Sequence, residues 1–310
     1  MINGLVAVTG ATGFIGSHLC DHLLSQGFEV RILARSPDAA QHLIDRGASS
    51  VAGDLQNADA LNRLVTGATV VIHAAGAVRG ASQQAFDAVN VAGTAALLKA
   101  VNSLNNPPRL LLLSSLAARE PELSWYAHSK WEAEQLLQKE GSLDWTILRP
   151  PAVYGPGDQE MLPIFQWMAR GIAPVPGAPS ARISLIHVKD LVAAIIACLG
   201  SAAARNQILY ACDGKPDGYS WPELTAIASS LWSKRIRLWQ VPAWLLNTIA
   251  RVNMWLCAIT GNAPMLTPPK LRELRHQDWV VDNVAISAST QWQPKIDLRH
   301  GLETLGIREI

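Results

Sequence analysis

The chain has 310 residues, with 26 Lys and Arg against 25 Asp and Glu and a formal net charge of +1. That length suits one large α/β domain carrying a smaller one, and a near-neutral chain with 16% charged residues offers no electrostatic footprint for nucleic acid. The four cysteines, Cys20, Cys198, Cys212 and Cys257, show no Cys-x-x-Cys or Cys/His ligand spacing; they read as free thiols of a reducing compartment, with neither a disulfide nor a metal site expected.

The N-terminus runs almost directly into a first strand, leaving no room for the basic and apolar regions of a signal peptide, so a cytoplasmic location is expected. The apolar run from Leu5 to Thr9 meets Gly10, Gly13 and Gly16 and then a helical pattern from about Ser17 to Gln26. This is a strand, a tight turn and a helix. Gly10 permits the turn, Gly13 lets backbone approach a pyrophosphate, and Gly16 lets the helix pack against the strand, while the N–H groups of the helix start hold phosphate.

A second strand, Phe28 to Leu33, ends in Ala34-Arg35-Ser36-Pro37. There follow a helical stretch through Gln41 to Ile44, the segment Val51 to Leu55, a helix from Asp59 to Val65, and a strand from Val70 to His73 closing on Ala74-Ala75-Gly76. A helix from Phe86 to Val101 contains Asn90; next come an apolar strand from Arg109 to Ser114, a helix from Ser124 to Lys139, and a strand from Asp144 to Arg149. Strands and helices alternate, and near-continuous apolar strands joined by helical crossovers predict a doubly wound parallel sheet of the Rossmann type, an α/β fold with helices on both faces.

Pro and Gly crowd the chain from Pro150 onward. The expected division is a dinucleotide-binding domain over residues 1–155, with 182–204 returning to it, and a smaller, discontinuous domain, mainly substrate-binding, over 156–181 and 205–310. From Asn206 onward lie seven of the eleven Trp residues. Val241 to Thr260 is strongly apolar, but Asn247, Arg251 and Asn253 interrupt it, so it does not read as a membrane span. It suits a core helix, or else the wall of an apolar substrate pocket or a membrane-surface contact.

Tyr126-Ala-His-Ser-Lys130 puts a phenol and an ammonium four residues apart on one helix face. A cation beside a phenol favours the phenolate and lowers its pKa from about 10 toward neutrality, as a general acid/base for an alcohol or ketone requires.

The order Thr9-Gly10-Ala11-Thr12-Gly13-Phe14-Ile15-Gly16, Gly53-Asp54-Leu55, His73-Ala74-Ala75-Gly76, Ser114-Ser115, Tyr126-x-x-x-Lys130 and Arg149-Pro150 resembles the extended short-chain dehydrogenase/reductase family. Within it, the similarity is to the epimerase/dehydratase-like members, near the hydroxysteroid dehydrogenase and dihydroflavonol reductase branch. Tyr154 to Gly157, Ile186 to Asp190 and Gly301-Leu302 extend the similarity over the whole chain. The resemblance implies that Ser115 bonds the substrate oxygen, Tyr126 exchanges its proton, and Lys130 tunes Tyr126 and binds the nicotinamide ribose. It also implies a cofactor site of Gly10, Thr12, Gly13, Phe14, Ile15, Gly16, Asp54 at the adenine amine, Leu55 beside the ring, Ala74, Ala75 and Gly76, with Pro151 to Val153 near the carboxamide. Asn90 is expected to bond backbone groups or a water relay, Asp190 to cap a helix, and His187 to satisfy a local hydrogen bond.

Departures from the family pattern narrow the reading. Where NAD-preferring members place a carboxylate at the end of the second strand, this chain has Arg35 and Ser36, which suit a 2′-phosphate; NADP(H) is expected ahead of NAD(H). Leu116 and Ala117 replace the Asp-Glu pair of the dehydratases. Ile183 replaces the diphosphate-binding Arg of many sugar-nucleotide epimerases, and Arg182, one residue earlier, points to the opposite strand face. The expected protein is an NADP(H)-dependent oxidoreductase interconverting a secondary alcohol and a ketone or aldehyde on a small, moderately apolar molecule. The alternatives are an NAD-dependent sugar-nucleotide epimerase and a non-catalytic cofactor-binding scaffold; the resemblance leaves open a homodimer through the helices at 86–101 and 124–139 or a monomer.

Overall fold

In a computed structural model that describes residues 4–260, 263–264 and 266–307, the apolar run Leu5–Thr9 is buried along its whole length. It lies inside a seven-stranded sheet whose order is Gln207–Tyr210, Trp145–Arg149, Arg109–Leu113, Ala68–His73, Leu5–Thr9, Glu29–Ala34 and Ser49–Ala52. Every pairing is parallel. Chain order reverses between Leu5–Thr9 and its neighbour Ala68–His73, so connections leave to opposite sides and a crevice opens at the carboxyl ends of these two strands.

The inner strands are mostly apolar because both faces are covered, whereas the outer strands Ser49–Ala52 and Gln207–Tyr210 are largely exposed or half-buried. Val6, Val8, Ile32, Leu111 and Leu148 belong to one core, whereas Ala7, Leu33, Val71, Leu110, Leu112 and Ile147 belong to the other, as a period-two side-chain alternation requires. Helices Phe14–Ser25 and Val188–Gly200 bury Leu19, Leu23, Leu191 and Ile195 in the first core. Ala58–Val65 and Gln83–Asn102 bury Leu61, Leu64, Leu97 and Val101 in the second.

The returning segment differs in detail from expectation. The helix at Val188–Gly200 does cover the large sheet, but the strand before it, Leu185–His187, pairs with Ala152–Tyr154 in a separate two-stranded sheet. The seventh strand of the large sheet is Gln207–Tyr210, inside the stretch 205–310 that was expected in the smaller unit, and Ile286 and Trp292 also pack on the large sheet. Only Leu209 of that strand is buried, as its place at the end of the sheet allows.

The smaller unit has its own core, which includes Tyr154, Phe165, Met168, Leu185, Trp221 and Trp232. Asp190 does not cap its helix. That cap is His187, whose Nδ1 accepts the Lys189 N–H at 3.3 Å. The Asp190 carboxylate instead accepts the backbone N–H groups of Lys295 and Ile296 at 2.9 and 2.8 Å and ties down the C-terminal segment. Helix Ala243–Thr260 buries only Leu246 and Ala250, against Val241 and Leu271. No helix among the described residues is long and apolar enough to cross a membrane.

Candidate active site

The glycine-rich turn joins Leu5–Thr9 to helix Phe14–Ser25 at the crevice. Gly10 has φ +74°, and a Cβ there would lie 2.5 Å from the Ala75 nitrogen; one at Gly16 would lie 2.0 Å from the Gly10 oxygen. Glycine is therefore a steric requirement at both positions. The helix begins at exposed Gly13 with no side-chain cap and no acidic residue in its first turn. Its free N–H groups and positive dipole end suit a pyrophosphate, so the residues present fit a dinucleotide. We expect Gly16→Ala to cost on the order of 1–3 kcal/mol of stability and to weaken cofactor binding, as read by a thermal melt and a fluorescence titration; an unchanged protein would contradict this packing.

The other expected cofactor residues line up along the same sheet edge. Arg35 and Ser36 follow the strand Glu29–Ala34 and are exposed, and the Ser36 side chain makes no cap bond. The Gly53 N–H donates to Ala34 O at 3.0 Å, so Asp54 lies on the neighbouring strand end, where its carboxylate accepts the Gln56 N–H at 2.9 Å. Leu55 is buried against Gly93. Thr12 is exposed and Phe14 and Ile15 are half-buried; Ala74 and Ala75 are half-buried and Gly76 exposed, while Pro151 is buried and Val153 partly so.

A polar chain beneath this edge joins the glycine turn to the Tyr126 helix. Thr94 donates its hydroxyl to Asn90 O at 2.6 Å, so it accepts from His73 Nε2–H at 3.0 Å. That fixes the tautomer: His73 Nδ1 accepts the Thr9 hydroxyl at 2.6 Å, and Thr9 Oγ1 accepts the Ala75 N–H at 3.3 Å. Burial and the charge of Lys130 pull the His73 pKa down to about 3, which keeps the ring neutral. Asn90 accepts the Ala77 N–H at 2.7 Å and donates to Ala77 O at 3.1 Å and Ser129 Oγ at 2.9 Å. Ser129 donates to Tyr126 O at 2.9 Å. Of the side chains in this network, sequence reasoning gave roles to Asn90 and Tyr126 and met Thr9 and His73 only as members of motifs; Thr94 and Ser129 carry no spacing signal, because the network crosses four elements.

Tyr126 is the second residue of helix Trp125–Gln138, whose cap Ser124 accepts the Ala127 N–H at 3.0 Å. Burial pushes the phenol up to about 12; a hydrogen bond from the Ser115 side chain opposes this, and the charges of Glu273 and Glu160 add to it. This corrects the expectation of a phenol lowered by Lys130. The Lys130 ammonium instead donates to Leu113 O at 2.7 Å, and its own pKa is pulled down to about 8 by burial, with Glu134 opposing. Lys130 still faces the cofactor edge, since a Cβ on Gly76 would lie 3.6 Å from its Nζ. Ser115, Tyr126, Lys130 and Gly76 are thus gathered at one place.

Further support comes from residues outside the expected set. Glu134, one turn beyond Lys130, is fully buried; it accepts the Ser114 hydroxyl and takes Arg149 with both oxygens, Arg149 Nε standing 2.9 Å from Oε1. Arg149 also donates to Tyr210 Oη at 2.8 Å. Lys270 lies over the Tyr126 ring, 5.2 Å from its centroid, and is paired with Glu273, which also accepts the Ser124 hydroxyl at 2.5 Å. Beside Tyr126 is a shallow cleft open to solvent, walled by Val78, Phe86, Trp125, Pro264, Thr267 and Lys270. Leu116 and Ala117 are buried with no carboxylate at those positions. Arg182 is committed elsewhere, to Gly218 O at 3.1 Å and Glu223 at 3.3 Å.

Residues 6–211 match the model of the NAD dependent epimerase/dehydratase family. The chain belongs to this family. Like other members of the extended short-chain dehydrogenase/reductase group, it is an NAD(P)-dependent enzyme. Among family relatives, it is 37% identical over 278 residues to a ceramide reductase of Caulobacter vibrioides, covering 89% of this chain and 86% of that one. It is 29% identical over 174 residues to the 4-hydroxy-2-methyl-3-oxo-4-farnesyl-3,4-dihydroquinoline-1-oxide ketoreductase of Stigmatella aurantiaca, covering 50% of this chain and 52% of that one. The family fold is shared with the UDP-glucuronic acid 4-epimerase of Bacillus cereus, solved with UDP-glucuronic acid and NAD, at a TM-score of 0.74, 21% identity and 97% coverage of each chain. At that identity the likeness speaks to fold alone.

Proposed function

We propose that this enzyme is an NADP(H)-dependent reductase of a ketone or aldehyde, working on a small molecule with a long apolar portion. The observation that carries this reading is the placement of Tyr126 on the wall of a mostly apolar cleft, with Ser115 beside it and Lys130, one helical turn on, facing Gly76. A phenol keeps its proton at neutral pH and can give it to an oxygen that gains negative charge as hydride arrives. The commitment of Arg182 to Glu223 and Gly218 leaves no cation at that position for a sugar diphosphate. The names of two relatives, a ceramide reductase and a ketoreductase of a farnesylated quinoline oxide, support an apolar-tailed substrate.

In this reading the unpaired amides at the start of the Phe14–Ser25 helix would hold the pyrophosphate. Asp54 would bond the adenine amine with Leu55 beside it, Arg35 and Ser36 would hold the 2′-phosphate, Lys130 the ribose, and Pro151 and Val153 would serve the carboxamide. When bound there, a reduced nicotinamide supplies the hydride. Ser115 polarises the carbonyl oxygen, and Tyr126 gives its proton to that oxygen as the alcohol forms. The phenolate then regains a proton from solvent through the cleft.

Titration of the cofactor-free protein with NADPH and NADH, followed by Trp fluorescence, tests the cofactor assignment. We expect NADPH to bind at least about tenfold more tightly, roughly 1.4 kcal/mol, and Arg35→Ala to abolish the difference. Equal or tighter binding of NADH would contradict the role given to Arg35 and move sugar-nucleotide epimerisation forward.

A further inference from the structure

Helix Ala243–Thr260 turns most of its surface to solvent, and that surface is apolar. Trp244 is 69%, Trp255 62% and Ile259 64% exposed, with Ile249, Val252 and Leu256 also exposed. Ile249, Val252, Leu256 and Ile259 follow one another at spacings of three and four, so they form one stripe. The strand leading into the helix, Arg237–Gln240, is exposed along its length and adds Leu238 and Trp239.

The charge around this stripe is one-sided. The chain has 25 Asp and Glu, yet none falls between Leu224 and Lys270, a stretch that includes Arg235, Arg237 and Arg251. Arg235, Arg237 and Arg251 are exposed. A second copy of the chain is a poor occupant, because a two-fold contact would set these cations against each other without a carboxylate to meet them. An anionic lipid surface matches both features: acyl chains accept Leu, Ile and Val, the boundary accepts Trp, and headgroups pair with Arg.

We propose that the exposed face of helix Ala243–Thr260 docks on an anionic bilayer, lying in the interface without crossing it. The buried side of the same helix rests through Leu246 and Ala250 on Leu271, in the helix Pro268–Leu274 that holds Lys270 over Tyr126. Pro264 and Thr267, just beyond the docking helix, wall the cleft. The docked surface therefore adjoins the cleft. Access of a membrane-dissolved ketone by this route rests on the reductase reading; docking itself does not.

Flotation of the full-length protein with vesicles tests this. We expect it to float with vesicles of phosphatidylcholine and phosphatidylglycerol in equal parts, to bind phosphatidylcholine alone far more weakly, and to be released by high salt. The double variant Trp244→Ser/Trp255→Ser should lose about tenfold or more in vesicle affinity, and so should Arg237→Glu/Arg251→Glu. Both should keep cofactor affinity and the rate on a short, water-soluble ketone. Absence of flotation, flotation indifferent to both variants, or a dimer in solution that Trp244→Ser dissociates would overturn the proposal. Because flotation needs no turnover, a failure of docking leaves the reductase reading standing, and a failure of turnover leaves docking standing.

Discussion

Tyr126→Phe is expected to lower kcat for ketone reduction by about 10²–10⁴-fold, the usual worth of a positioned proton donor, while leaving the dissociation constant of NADPH unchanged. The substitution removes one oxygen and keeps the ring, which packs edge-on against Phe86 with centroids 6.1 Å apart and lies under Lys270. The fold should therefore persist. Steady-state turnover and a fluorescence titration of the same preparation separate the two effects. A kcat within a few-fold of the parent would remove Tyr126 from the chemistry.

The second large effect belongs to the support beneath the site. Replacing Glu134 by Ala leaves the Arg149 guanidinium, whose side chain is only 11% exposed, with Tyr210 as its remaining side-chain partner, and deprives the Ser114 hydroxyl of its acceptor. Breaking a buried ion pair from one side costs about 3–5 kcal/mol, because an uncompensated charge stays behind. Chemical denaturation should show a loss of that size. The exposed pair between Arg205 and Asp144, at 2.9 Å, provides the contrast: Arg205→Ala should cost less than about 1 kcal/mol. Equal losses at the two places would contradict the burial argument.

The inner strands of the sheet were legible because they are local apolar runs, and runs such as Leu5–Thr9 and Arg109–Leu113 need no partner to be recognised. The motifs at their carboxyl ends were legible for the same reason, each being a few consecutive residues. What escaped were contacts across long separations. Lys270 above Tyr126 is 144 residues away along the chain, and nothing in Pro268–Leu274 signals it. Direction of the Tyr126 pKa escaped too, since spacing places Lys130 on the same helix face but says nothing of Leu113 O, which takes the ammonium. The exposed stripe of helix Ala243–Thr260 was visible as composition, while its orientation needed the packing of Leu246 and Ala250 on Leu271.

The most direct test of the account is whether NADPH is consumed. Purified enzyme, NADPH and a long-chain aliphatic ketone carried in phosphatidylcholine and phosphatidylglycerol vesicles should give one alcohol formed for each NADPH oxidised, with Tyr126→Phe silent in the same assay. No net oxidation with any carbonyl substrate, together with interconversion of UDP-sugar epimers by a cofactor that stays bound, would contradict it.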